Sequence, residues 1–334
     1  MENMLKLHSL FTDHMVFAAD KPIRIWGEGD GEIRVRMGER QACTRAKDGR
    51  WMIELEGLPC GGAYGVHIES EAEEITLRDV YVGYVYLCGG QSNMQMKLGE
   101  TDFDEARYAD ESRLRFFAAR PLKEDENFTP SDGWMCSTAD TAARRSAIGY
   151  IMGMERVRQS GCAVGVIGCC QGGSVIESWL PEGVLEGLGA VLSPEDKYKD
   201  PCRLEWWNET GELYHYALAD LMPFSLSGVI WYQGESNARE AEGRIYERQL
   251  RALIKKWRED FKDGELPFVV VQLPEFARPA SKTGWAMVQQ AQQSVAGTVE
   301  NVSLVQSRDV CSDRLIHPIE KEALSLRIAR TLAQ

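Results

Sequence analysis

Ser92 stands where a strand gives way to a helix. The apolar run Val82–Leu87 leads into Gly89-Gly90-Gln91-Ser92-Asn93-Met94, and a serine on such a turn, given a base, can attack an acyl carbonyl. The same residues allow a plainer reading. Ser92 followed three residues later by Gln95 has capping-box spacing, so its hydroxyl could simply cap a helix. Two more loops bear on the choice. After Val164–Ile167 comes Gln171-Gly172-Gly173-Ser174-Val175-Ile176-Glu177-Ser178-Trp179, and after Gly228–Tyr232 comes Gln233-Gly234-Glu235-Ser236-Asn237. Three polar, glycine-containing loops brought together would surround one point with N–H groups and amides. Acyl transfer needs that arrangement, because its oxyanion forms only on the way through the reaction and is held by donors aimed in advance. Ser174 and Glu177 also have capping-box spacing, which is compatible, since a helix N-terminus offers free N–H groups to an anion.

The serine also needs a base. The chain has five histidines: His8, His14, His67, His215 and His317. The first three fall in an N-terminal region with no complete catalytic set. His317 follows the apolar run Val302–Val305, precedes Pro318 and has Asp313 four residues before it, which makes it the leading base, with a surface histidine as the competing reading. His215 sits among Tyr214, Tyr216 and Trp206-Trp207 and reads as a packed or substrate-contacting residue.

The elements that must carry these groups follow from periodicity. Residues 1–78 alternate: Ile33, Val35 and Met37, then Trp51, Ile53 and Leu55, then Tyr64, Val66 and Ile68 are apolar at every second position, which predicts half-buried strands. Between them lie Gly29 to Gly31, Gly38-Glu39-Arg40 and Lys47-Asp48-Gly49, which suit hairpins. A small antiparallel β-sandwich is expected there. From residue 79 to 334 the buried runs Val82–Leu87, Val164–Ile167, Gly228–Tyr232, Phe268–Leu273 and Val302–Val305 alternate with helical patterns, which predicts a mostly parallel sheet covered on both faces. Tyr246, Leu250, Leu253, Trp257 and Phe261 mark one helix by three- and four-residue spacing; another is expected over Thr141–Ser160, ending at Gly161. Ligands of such sheets bind beyond the carboxyl ends of the strands, where the three loops lie.

Bulk properties narrow the function. With 334 residues, 44% apolar and 27% charged, the chain is that of a folded globular protein of about two domains. A net charge of −13 without a basic block argues against nucleic acid. No stretch approaches a membrane span of ~20 apolar residues, and the first residues lack a signal peptide's regions, so a cytoplasmic location is expected. The nine cysteines lack CxxC pairs, which predicts mostly buried, reduced thiols and no zinc site. No cofactor is expected.

At these residues the chain resembles the sialate O-acetylesterases and related carbohydrate acetylesterases of the SGNH-hydrolase superfamily. The similar segments are Leu10–Phe17, Lys21 to Gly27, Gly90–Met94, Gly172 to Trp179, Gly228–Asn237 and Ile316-His317-Pro318, spread over nearly the whole chain. The resemblance implies a flavodoxin-like three-layer α/β/α hydrolase domain with an added β-domain. It makes Ser92 the nucleophile and His317 the base, places oxyanion donors at Ser92, at Gly172 or Gly173, and in the loop of Gln233 and Asn237, and leaves Gln91, Asn93 and Trp231 as substrate contacts. The family has an Asp three residues before the His, where this chain has Arg314, with Asp313 one residue too early. Some relatives take the carboxylate from a Gln-Gly-Glu motif, here Glu235, so Glu235 and Asp313 are rivals for orienting His317.

The implied reaction is removal of an O-acetyl group from a carbohydrate through an acetyl-serine, with sialic acid first and acetyl-xylan or another polysaccharide as the alternative. A degenerate carbohydrate-binding protein is the alternative from another class. Trp206, Trp207 and Trp231 could stack on a sugar or belong to the core. Oligomeric state is not legible.

Overall fold

The computed structural model describes residues 4–119, 133–197 and 201–334. In chain order its strands are β1 (Lys6–Leu7), β2 (Val16–Ala18), β3 (Ile23–Glu28), β4 (Glu32–Met37), β5 (Arg40–Arg45), β6 (Arg50–Leu55), β7 (Gly61–Glu69), β8 (Glu74–Gly90), β9 (Glu111–Ala118), β10 (Met135–Ser137), β11 (Ala163–Cys170), β12 (Gly228–Tyr232), β13 (Phe268–Val271) and β14 (Val302–Val305). The α-helices are α1 (Ser92–Gln95), α2 (Ala139–Ala142), α3 (Ala147–Ser160), α4 (Pro194–Lys197), α5 (Glu240–Asp260), α6 (Lys282–Thr298) and α7 (Glu322–Thr331).

The alternating N-terminal segments form strands because one face of each is buried: Ile33, Val35 and Met37 of β4, and Trp51, Ile53 and Leu55 of β6, all point into the core. They belong to two antiparallel groups, β1-β3-β6 and β5-β4-β7-β8. Strand β8 continues from the second group into the large sheet. Its first half pairs with β7 (Val66 opposite Leu77, Ile68 opposite Ile75), and its second half lies parallel between β11 and β12. The division expected at 78/79 therefore falls inside a single strand.

In the large sheet the run β11-β8-β12-β13-β14 is parallel, with the 2-1-3-4-5 order of flavodoxin-like sheets. Strand β9 extends it in parallel beside β11, and β10 closes that edge antiparallel. The five expected apolar runs are all strands, β13 ending at Val271 rather than Leu273. Strands β12 and β13 are buried at every residue, as sheets covered on both faces require. The chain leaves β8 in one direction and β12 in the other. Right-handed crossovers then put the packed pair α3 and α7 and the packed pair α5 and α6 on opposite faces.

Along α5 the expected stripe is buried at Tyr246, Leu250, Leu253 and Trp257. The helix expected over Thr141–Ser160 is broken instead into α2 and α3. The carbonyls of Ala143 and Arg145 accept N–H groups of Gly99 and Leu98, and Ser146 Oγ caps α3 by accepting from Gly149 N at 3.2 Å. The break turns Arg144, Arg145 and Ser146 toward the carboxyl end of the sheet. Gly161 ends α3 at φ +70°.

The described cysteines are free thiols, but only Cys88 and Cys169 are buried; Cys43 is exposed, the others are intermediate, and the Cys202 side chain lies outside the described residues. No described helix is long and apolar enough to cross a membrane.

Gly90 closes β8 at φ +132°, and a Cβ there would sit 2.1 Å from the Tyr232 carbonyl oxygen. Gly90→Ala must push β8 away from β12 one residue before the Gln91–Ser92 turn. We expect it to lower unfolding free energy by about 3 kcal/mol or more, read by denaturant titration; an unchanged midpoint would show that the junction tolerates a side chain.

Candidate active site

The three polar loops do meet at the carboxyl end of the sheet, and backbone contacts tie them together. Gln91 N donates to Tyr232 O at 3.0 Å, and Gln171 N donates to Gly90 O at 3.0 Å. Ser92 is the first residue of the one-turn helix α1, which begins after an extended Gln91. Its hydroxyl caps no N–H among the described residues. Ser92 Oγ lies 2.7 Å from His317 Nε2, the contact through which an imidazole takes a serine proton. Ser174 and Glu177 form no capping box either. Ser174 Oγ accepts from Trp179 Nε1 at 3.0 Å, and Glu177 binds Arg203.

Several residues expected to touch substrate turn out to hold the loops. Gln91 is buried, and its Oε1 accepts from Gly234 N and Ser236 N, both at 3.3 Å. Asn93 is buried beside Ser92: Nδ2 donates to Glu235 Oε1 at 2.6 Å and to Ile316 O at 2.9 Å, and Oδ1 accepts from Lys321 Nζ at 2.7 Å. Trp231 is fully buried, edge-on to Trp179 and Trp257, which closes its ring to a sugar. Trp207 is buried too, while Trp206 is 49% exposed and packs edge-on against Tyr216.

The expected oxyanion donors divide in the same way. Gln233 Nε2 gives both hydrogens to Ser174 O (3.0 Å) and Asn237 Oδ1 (2.8 Å), and Gln233 Oε1 accepts from Tyr246. Asn237 Nδ2 donates to Glu177 Oε2 at 2.9 Å, and both amides are fully buried. These two side chains brace the loops and are committed internally. Gly172 is beside Ser92: a Cβ on it would lie 3.6 Å from Ser92 Cβ. Its N–H donates to Gln95 Oε1 at 2.8 Å. Gly173 is left-handed at φ +72°, with its carbonyl held by Asn208 Nδ2 at 2.9 Å.

Neither rival carboxylate hydrogen-bonds His317 among the described residues. Asp313 is exposed, and its backbone carbonyl accepts from Ala277 N. Glu235 reaches the Ser92 turn through Asn93, and burial raises its carboxyl above the usual range; its Oε2 is enclosed with no partner among the described residues. The other histidines lie in different surroundings. His215 Nε2 is 2.9 Å from Glu182, His14 Nδ1 is 2.7 Å from Asp79, His67 contacts Glu74, and His8 packs on Trp26. His14, Asp79 and Cys136 bring ligand atoms within 4.8 Å of one another, a grouping invisible in the spacing. The Asp79 oxygen that faces His14 also accepts from Arg115 Nη2 at 2.9 Å, so a guanidinium already neutralises it.

Lys321 was missed by sequence reasoning. It is fully buried at the start of α7, and burial pushes its ammonium pKa down to about 8. The signal was its position, since a helix N-terminus disfavours a cation.

Ser92 and His317 open onto a cavity of about 670 Å³, walled by Phe116, Phe117, Arg144, Arg145, Lys97 and Glu100 among others. Burial first, then the charge of Lys321, lowers the imidazole pKa of His317 from 6.5, against a smaller upward pull from Glu100.

Comparison with known proteins finds relatives over most of the chain. Residues 82–332 match the family model described as carbohydrate esterase, sialic acid-specific acetylesterase. The human sialate O-acetylesterase is 28% identical over 92% of this chain and 67% of its own length. The rat sialate O-acetylesterase is 26% identical over 91% and 68%. The crystal structure of a carbohydrate acetylesterase from Xanthomonas citri superposes with a TM-score of 0.84 at 28% identity, covering 97% of this chain and 73% of that one.

A base must be neutral to accept the serine proton, and a depressed pKa keeps the imidazole neutral to lower pH. The acid limb of kcat/KM is therefore expected to have its midpoint below 6.5; a pH–rate profile with its midpoint at or above that value would contradict the assigned surroundings of His317.

Proposed function

Because this chain belongs to the carbohydrate esterase, sialic acid-specific acetylesterase family, we propose that it removes O-acetyl groups from sialic acid-type sugars with Ser92 as nucleophile and His317 as base. The observation that carries the reading is the 2.7 Å contact between Ser92 Oγ and His317 Nε2 at the mouth of the cavity.

In this reading His317 Nε2 takes the Ser92 proton as Oγ attacks the acetyl carbon. The oxyanion is held by the N–H groups of Ser92 and Gly172, once the Gln95 amide has moved off the latter. The carbonyl re-forms as the bond to the sugar oxygen breaks, and that oxygen leaves with the proton from His317. A water then gives its proton to the same imidazole and attacks the acetyl-serine. Acetate departs and Ser92 recovers its proton. One donor of this kind contributes about 3–4 kcal/mol to the barrier reduction, so the hole carries a large share of the rate.

An acidic sugar is favoured over a neutral polysaccharide by the cavity wall. In a chain of net charge −13 it gathers Lys97, Arg144 and Arg145 against one acid, Glu100, and such a positive excess attracts a carboxylate. Residues 1–78 read as a β-sandwich-like unit that supports a three-layer SGNH-hydrolase domain over 79–334, the two sharing strand β8 across their boundary. Arg24 Nη1 reaches Pro223 O at 3.3 Å and Lys21 pairs with Asp263 at 2.8 Å, both on residues that do not line the cavity.

Acetate release should be measured from acetylated sialic acids, acetylated xylan and an aryl acetate. Ser92→Ala is expected to lose about a thousandfold or more on all three with an unchanged melt, and Arg144→Ala to lose about tenfold on the acidic sugars alone. Turnover retained in Ser92→Ala would remove the serine from the mechanism, and preference for xylan would replace the substrate assignment.

A further inference from the structure

The side chains around Asn93 form a connected unit that the proposed chemistry does not use directly. Asn93 follows the nucleophile, and Ile316 precedes the base. The Asn93 amide donates to Ile316 O at 2.9 Å, so one planar group joins the turn that carries Ser92 to the loop that carries His317. That amide is fixed from both ends. Glu235 Oε1 takes its second hydrogen at 2.6 Å, and Lys321 Nζ donates to its oxygen at 2.7 Å. Lys321 is fully buried, 5.5 Å from the centre of the Tyr232 ring, and its charge and that of Glu235 act on one another. A lysine taken from water at a helix start is costly unless paired, and here its partners are those that set the nucleophile's position.

We propose that Lys321 is a positioning residue for the reaction, clamping Asn93 against Glu235 and Ile316 so that Ser92 Oγ and His317 Nε2 are held at bonding distance. The role rests on the assignment of Ser92 and His317 as the reacting pair. It gives Glu235 a place in the same unit, as the acceptor that fixes the amide's orientation. Lys321 also acts on the imidazole through its charge. The charged groups facing His317 are Lys321, which opposes protonation, and Glu100, which favours it, with Glu235 behind Asn93.

Clamp and charge separate by substitution. Lys321→Met removes both; Asn93→Ala removes the clamp and leaves the charge. With an aryl acetate, each variant is expected to lose about 10²-fold in kcat with KM within about twofold, the size of effect that a displacement of about 1 Å produces. The double variant should lose no more than the larger single loss, since Lys321 acts through Asn93. The His317 imidazole, titrated by NMR, should shift upward in Lys321→Met and stay in place in Asn93→Ala; this readout holds whether or not the chain proves to be an esterase. Lys321→Met is expected to melt lower than the parent, because removing one member of a buried polar group leaves Asn93 Oδ1 and the Glu235 carboxylate without their cation. Should that variant fail to fold, Asn93→Ala and its melt carry the test. A kcat within threefold of the parent in either folded variant, additive losses in the double variant, or an unmoved imidazole in Lys321→Met would each overturn the proposal.

Discussion

Strand β8 is the constraint on which the rest depends. It runs seventeen residues without a break, from the antiparallel N-terminal strands to the centre of the parallel sheet. A strand that pairs on both sides has no room for side chains where neighbouring backbones close in. Gly83 would drive a Cβ to 2.0 Å from Ala163 O, and Gly90 meets Tyr232 O in the same way. These contacts fix where β8 ends, and so where Ser92 begins. Every loop that surrounds the serine is then measured from that point.

The second requirement is the satisfaction of buried polar groups. Three loops collapse onto one another above the sheet, and their N–H and C=O groups lose water; each left unpaired would cost on the order of 1–3 kcal/mol. Gln91, Asn93, Gln233 and Asn237 answer this from inside, each bonding a neighbouring loop. The buried triad of Arg203 with Glu177 and Glu242 continues the bracing outward, since Glu177 also accepts from Asn237. Rigidity at Ser92 comes from amide side chains rather than from apolar packing alone.

This division explains what the sequence made legible. The apolar runs that became β11, β12 and β13 could be read because parallel strands are buried on both faces and carry no polar interruption, and β14, at the sheet's edge, was legible from its valines in spite of the exposed Ser303. Strand β9 could not, because Arg113 and Arg115 interrupt it. Arg115 is buried only because its guanidinium binds Asp79 and the carbonyl of His14, partners 36 and 101 residues away. Ser92 and His317 were legible because few residue types can do their chemistry. The amides beside them were legible as residues but not in their hydrogen bonds: an Asn or Gln looks the same whether its hydrogens point to a ligand or to the next loop. The Asn93 clamp depends on Lys321, 228 residues away, and no local pattern shows that distance closing.

With Gly172 as the proposed oxyanion donor, its bond to the Gln95 side chain sets the terms on which an ester is received. At rest this donor already has a carbonyl oxygen, tethered at high local concentration, so an incoming acyl group must win an exchange and gains only the difference between two similar hydrogen bonds. A neutral acetyl oxygen gains little by the swap. The anion that develops from it gains much more, because charge strengthens the bond it accepts. A competing amide therefore weakens ground-state binding while leaving most of the preference for the charged state intact, and it makes the reach of the sugar into the cavity, rather than the acetyl group itself, the source of affinity.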